Sequence, residues 1–279
     1  MKRSTTFLMT VIGFGFAFLY IPILSMIVYS FNASRLATVW GGFSTKWYVS
    51  LLSNSQVIDA LVLSLKIAVV SATFATILGT MAGIVLARFT KFRGRTLFSG
   101  LVTAPLVMPE VITGISSLIF FIMMAEWIGW PGQRGFTTIT LAHITFSMVF
   151  VTIIVNARML QSDRAIEEAA MDLGSRPWQV LFDITLPVIS PAIISGWLLA
   201  FTISLDDVVI SAFTTGPGAT TLPLLIWSKV KLGVTPDINA LATLMVLTVG
   251  VGVVAAGIIM TRAEKRRLAE ERMAFRNND

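Results

Sequence analysis

Cysteine is absent from this 279-residue sequence and histidine occurs once. Without thiols there are no disulfides, thiolate metal sites or cysteine nucleophiles. The single histidine, His143, has no second histidine to complete a metal site, and inside an apolar run it reads as an interhelical hydrogen-bonding residue. No metal site and no catalytic residue is assigned. Charge is also scarce: Asp, Glu, Lys and Arg make up 13% of the residues, too few to cover a water-facing surface. The phosphate loop G-x-x-x-x-G-K-[ST] is missing, so ATP chemistry and its cofactors are not expected in this chain. Ten-residue alternating strands of the outer-membrane barrel kind are missing as well.

What fills the space is hydrophobic residues, 55% of the chain. A helix needs about 20 mostly apolar residues to cross a hydrocarbon core roughly 30 Å thick. Six such runs are present: Phe7 to Phe31, Ala60 to Ala87, Leu97 to Met124, Phe136 to Ala157, Ile189 to Phe213 and Ala240 to Met260. In lipid each must satisfy its own backbone donors and acceptors, so an all-α membrane protein of six transmembrane helices in one domain, 1–279, is expected. The first run keeps Pro22 and passes into Tyr29-Ser30-Phe31-Asn32 with no small-residue cleavage site, which predicts an uncleaved anchor.

Lys and Arg sort to one side of these runs. That side collects Lys2 and Arg3, the loop from Arg88 to Arg95, then Arg158, Arg164 and Arg176, and the tail from Arg262 to Arg276. The other side has Arg35, Lys46, Arg134, Lys229 and Lys231, with Lys66 inside a run. The positive-inside rule puts both termini in the cytosol. The net charge of +6 is this topology signal and implies no nucleic-acid partner. Trp40, Trp47 and Tyr48 in the long outer loop suit the headgroup boundary. A short helix is expected over Leu224 to Lys231, and Gly79 with Gly83 reads as a helix-packing pair. The tail beyond Arg262 reads as a solvated continuation of the last helix.

Between the fourth and fifth runs, Glu168-Ala169-Ala170-Met171-Asp172-Leu173-Gly174 is followed after nine residues by Ile184-Thr185-Leu186-Pro187. The residues around Glu168 favour a helix, Asp163 is placed to cap it, Gly174 to end it and Pro177 to prevent its return. The segment resembles the EAA signature of the membrane permeases of bacterial ABC importers. That resemblance implies a type I importer permease (MetI-like) fold, with a cytosolic coupling helix inside a segment of about 160–187. Glu168, Ala169, Ala170 and Gly174 would meet a separate ATPase dimer. It further implies a paralogous second permease and an external binding protein as partners, and a place in the bacterial inner membrane.

Acids inside apolar runs are costly and usually functional. Glu110 follows Pro105-Leu106-Val107-Met108-Pro109, and Asp206 and Asp207 follow Ser204-Leu205. At helical rise Glu110 lies roughly 20 Å and Asp206 roughly 24 Å from the cytosolic edge, so the three make a candidate substrate level where a cation can shed water. Neighbours on a helix point about 100° apart. One aspartate then faces the pathway, Asp206 in preference to the alternative Asp207, while Lys66 at a matching depth is a candidate ion-pair partner for the other. The runs Trp197 to Pro223, Pro105 to Glu110 and Asp237 to Thr243 are similar to the polyamine (spermidine/putrescine) permeases of that family. The resemblance implies import of a linear di- or polyamine, putrescine first. Alternatives are an ABC permease for another small cation or anion, and a proton-coupled carrier, which would not need the EAA segment. An intramembrane enzyme is disfavoured, because adjacent aspartates cannot face each other across a substrate.

Overall fold

The computed structural model describes residues 2–36, 39–233, 235–248, 250–251 and 258. Among them the chain is helical, with one isolated bridge between Asn32 and Phe43. The contacts divide it into two units, Met1–Ser55 with Lys229–Asp279, and Gln56–Ser228.

In the first unit α1 (Lys2–Tyr29) contains Pro22 without ending there. Its apolar side chains are exposed all round, Phe14 and Phe18 among them, which suits a lipid solvent. The loop after it is organised by the buried Asn32. Its Oδ1 accepts from the amides of Ser34 (3.0 Å) and Gly41 (2.8 Å), its Nδ2 donates to the Val39 carbonyl, and its own carbonyl accepts from Trp47 Nε1 at 2.7 Å. Phe31 stacks on Phe43 and packs against Tyr48, both at 5.2 Å. Trp47 and Tyr48, expected at the headgroup boundary, therefore also knit this loop together, with α2 (Lys46–Leu52) inside it.

The second unit carries α3 (Ser55–Arg88), α4 (Arg95–Val107), α5 (Glu110–Ile128), α6 (Phe136–Gln161) and α7 (Ala165–Asp172). Then α8 (Pro177–Gln179) runs through a π-helical turn, Val180–Thr185, into α9 (Leu186–Asp206), followed by α10 (Val209–Thr214) and α11 (Leu222–Leu232). The π-helical turn lies just before Pro187, which has no N–H for the carbonyl four residues back. Ala72, Ala75, Val151, Val155, Ile189 and Ala200 form the core, joining α3, α6 and α9. Glycine lets these backbones close up: a Cβ at Gly79 would lie 2.7 Å from Val151 Cβ, and one at Gly83 2.9 Å from Val155 Cβ. This is the packing role expected of the pair.

Among the described residues five helices are long and apolar enough to span: Phe7–Tyr29, Ser55–Arg88, Glu110–Ile128, Phe136–Gln161 and Pro177–Asp206. Arg95–Val107 and Pro236–Thr248 are shorter apolar helices. The six-run expectation thus needs two adjustments. The third run is broken at Met108 and Pro109, both extended (ψ 133° and 138°), because proline removes a donor and pushes its predecessor out of helix. The fifth breaks after Asp206, where Asp207 is extended at ψ 128°. The sixth run is entered at Pro236, and its part beyond 251, like the tail from Arg262, lies outside the described residues apart from 258. The expected short helix appears as α11.

Candidate functional site

Both helix breaks open onto one cleft. Its volume is about 460 Å³, and its walls include Glu110, Phe146, Phe150, Ile203 and Asp206. Glu110 is the first residue of α5 and is exposed, so its carboxylate offsets the positive N-terminus of that helix. Asp206 ends α9, is exposed, and has no ion pair or hydrogen bond to another side chain among the described residues. The terminal carbonyls of α9 add partial negative charge at the same place. Phe146 and Phe150 meet edge to face at 5.6 Å, giving the cleft aromatic surface beside its carboxylates. Carboxylates, helix-end carbonyls and ring faces all favour a cation. The two phenylalanines were not singled out in the sequence, although their i, i+4 spacing puts them on one face of α6.

Asp207 also borders the cleft, but its carboxylate is taken. Oδ2 lies 3.1 Å from His143 Nε2 and accepts from the Ser211 amide at 2.7 Å, and Oδ1 accepts from the Ile210 amide at 3.2 Å. Those amides belong to the first turn of α10, so Asp207 caps the helix that restarts after the break. His143 Nδ1 lies 2.7 Å from Ser204 Oγ, which accepts from Ser71 Oγ at 2.9 Å. One assignment satisfies the chain: Ser71 donates to Ser204, Ser204 to Nδ1, and Nε2–H to Asp207. His143 thus makes the interhelical hydrogen bonds read from its position. Lys66 pairs with neither aspartate among the described residues. It borders a separate cavity with Gln56 and Asp59.

The 165–174 segment forms a second candidate site. The Ala165 amide donates to Asp163 Oδ1 at 2.9 Å, and α7 ends with Gly174 at φ +91°, a conformation glycine adopts without steric cost. The Ser175 amide donates back to the Ala170 carbonyl and the Gly174 amide to that of Met171, the paired bonds of a Schellman ending. Pro177 acts differently from expectation: it is the first residue of α8, where a missing N–H costs nothing. Glu168, Ala169 and Gly174 are exposed and Ala170 is half-buried, and a Cβ on Gly174 would meet nothing within 4 Å. Among the described residues Glu168 reaches only the exposed Arg164, at 3.0 Å. Its neighbour Glu167, not singled out in the sequence, is the anchored one. Arg88 donates to both its oxygens at 2.9 and 2.8 Å.

The family model for the binding-protein-dependent transport system inner membrane component matches residues 79–268. The chain is 55% identical over 262 residues, 94% of its length and 93% of the relative's, to the putrescine transport system permease protein PotI of Escherichia coli (strain K12). It is 43% identical over 244 residues, 88% of its length and 90% of the relative's, to the spermidine/putrescine transport system permease protein PotC of the same strain. Among solved structures, a bacterial ABC transporter that imports the acidic polysaccharide alginate aligns with TM-score 0.73 over 91% of this chain and 95% of that one. At 14% identity, that match concerns the fold.

Proposed function

This chain belongs to the inner-membrane components of binding-protein-dependent transport systems, and from that membership we propose that it carries polyamines, putrescine first, through the cleft at Glu110 and Asp206. It is a transport permease subunit of an ABC importer, with the all-α MetI-like fold, and not an enzyme. An ATPase and a substrate-binding protein are its partners by membership of that family.

The observation that carries the substrate reading is the exposed Asp206 carboxylate, unpaired among the described residues, at the meeting of two broken helices. Glu110 stands on the same cavity and two phenyl rings flank it. A linear diamine presents ammonium groups joined by methylenes, matching a wall of carboxylates and apolar rings. The names of the two relatives agree with that chemistry. In this reading Glu168, Ala169, Ala170 and Gly174 face an ATPase dimer on the cytosolic side, where both termini lie. A second permease subunit completes the pathway, and a loaded external binding protein delivers the substrate to it. ATP binding then turns the pathway outward, and hydrolysis returns it.

The test is uptake of labelled putrescine at low external concentration by cells lacking this chain, before and after its restoration. Loss and recovery, with vanadate sensitivity and persistence after collapse of the proton gradient, support the reading. Unchanged uptake overturns the polyamine assignment.

A further inference from the structure

We propose that Arg88 and Glu167 form a rigid strut that carries the motion of α7 into the membrane helices and stays closed through the transport cycle. The proposal deepens the reading of α7 as the ATPase-coupling element and rests on it.

The short helix has little else to hold it. None of its residues is buried, and a cavity of about 300 Å³ opens between it and the bundle, bordered by Ile84, Met159 and Met171. Apolar packing therefore does not make α7 move as one body with the spans. Polar bonds from Glu167 do. Its two oxygens take Arg88 Nε and Nη2 in a fork at 2.9 and 2.8 Å, the geometry in which guanidinium and carboxylate are most strongly oriented. The same Oε1 accepts from Thr185 Oγ1 at 3.1 Å, in the π-helical turn that leads into α9. Arg88 Nη1 donates to the Met159 carbonyl at 3.0 Å, in the last turn of α6, where the helix end favours a cation.

One ion pair thus joins the end of α3, the end of α6, the first turn of α7 and the approach to α9. Its side chains are only 14% and 15% exposed, against 62% and 57% for Arg164 and Glu168 on the outer face. A pair so shielded is screened less by salt and keeps one geometry, whereas the outer pair is a weak surface contact. The division of labour within Glu167-Glu168 follows: the second glutamate faces outward and the first transmits.

The test uses the whole complex, this chain with its ATPase, second permease and binding protein, in proteoliposomes. Glu167→Gln is expected to leave co-purification of the ATPase and its basal hydrolysis unchanged. Stimulation by loaded binding protein should be lost, and transport per ATP should fall about tenfold. The chain has no native cysteine, so Arg88→Cys with Glu167→Cys places a unique pair in it. A short bis-maleimide is suited to the pair, since side chains that meet at their tips stand further apart than a disulfide spans. Transport lost in the uncrosslinked pair should return on crosslinking. Wild-type transport per ATP in Glu167→Gln, or a crosslinked pair that stays inactive, overturns the strut. Failure of the wild-type chain itself to bind the ATPase overturns the coupling reading beneath it.

Discussion

His143 in the first half of α6 holds Asp207, the residue after α9, at 3.1 Å, although 64 positions separate them. The imidazole is 2% exposed and the carboxylate 9%, so water competes little with this contact. This contact, with the Ile210 and Ser211 amides on the same carboxylate, fixes where the fifth apolar run breaks. His143→Ala leaves a buried carboxylate short of a donor and is expected to cost about 2 kcal/mol. His143→Gln, which keeps a donor, should recover most of it. Thermal unfolding of the detergent-solubilised complex reads the difference.

The two aspartates should behave differently when neutralised. Asp206→Asn removes an exposed charge with no side-chain partner among the described residues, so the chain should insert normally while putrescine uptake falls about tenfold, the worth of one charged hydrogen bond. Asp207→Asn should lower stability instead, because it weakens the cap of α10. Equal uptake by Asp206→Asn and wild type would remove Asp206 from the pathway.

Gly83 separates packing from helix propensity. A Cβ there would come within 2.9 Å of Val155 Cβ and 3.0 Å of the Thr152 carbonyl. Gly83→Val is expected to destabilise by about 1–3 kcal/mol through overpacking. Gly100→Ala in α4, where the added carbon meets nothing within 4 Å, should be neutral or slightly stabilising. Yield of folded complex and its melting temperature compare the two directly.

Gly174→Asp tests the outward face of the proposed coupling segment. The position is open, so nothing within this chain opposes the side chain, but φ is +91°. Asparagine also tolerates that conformation, and Gly174→Asn controls for backbone strain. The expected result is inserted spans with transport lost in Gly174→Asp and largely kept in Gly174→Asn. Normal uptake by Gly174→Asp would count heavily against an ATPase contact here.

Helix positions were legible wherever the cause is local. Apolar runs located the long helices and Gly174 announced the end of α7, while Pro109 is the local cause of the break before Glu110. The break after Asp206 has no such sign, since neither proline nor glycine stands between Ser204 and Phe213. It exists because His143 and the α10 amides give Asp207 more as a cap than as a helical residue. Glu167 escaped notice for a similar reason. Beside Glu168 in the sequence it looks equivalent, and Arg88, which distinguishes it, is 79 residues away.

By itself the sequence determined the apolar character of the chain, the number of apolar runs and the short helix that ends at Gly174, because hydropathy and helix-stop residues are properties of neighbouring residues. Only the tertiary structure decided that, among the described residues, Asp206 is the free carboxylate and Asp207 the bound one, that Lys66 is partner to neither, and that Glu167 is the anchored glutamate. Each of those choices turns on a hydrogen bond from a distant helix, and adjacent side chains of like chemistry are told apart only by the donors that packing brings to them.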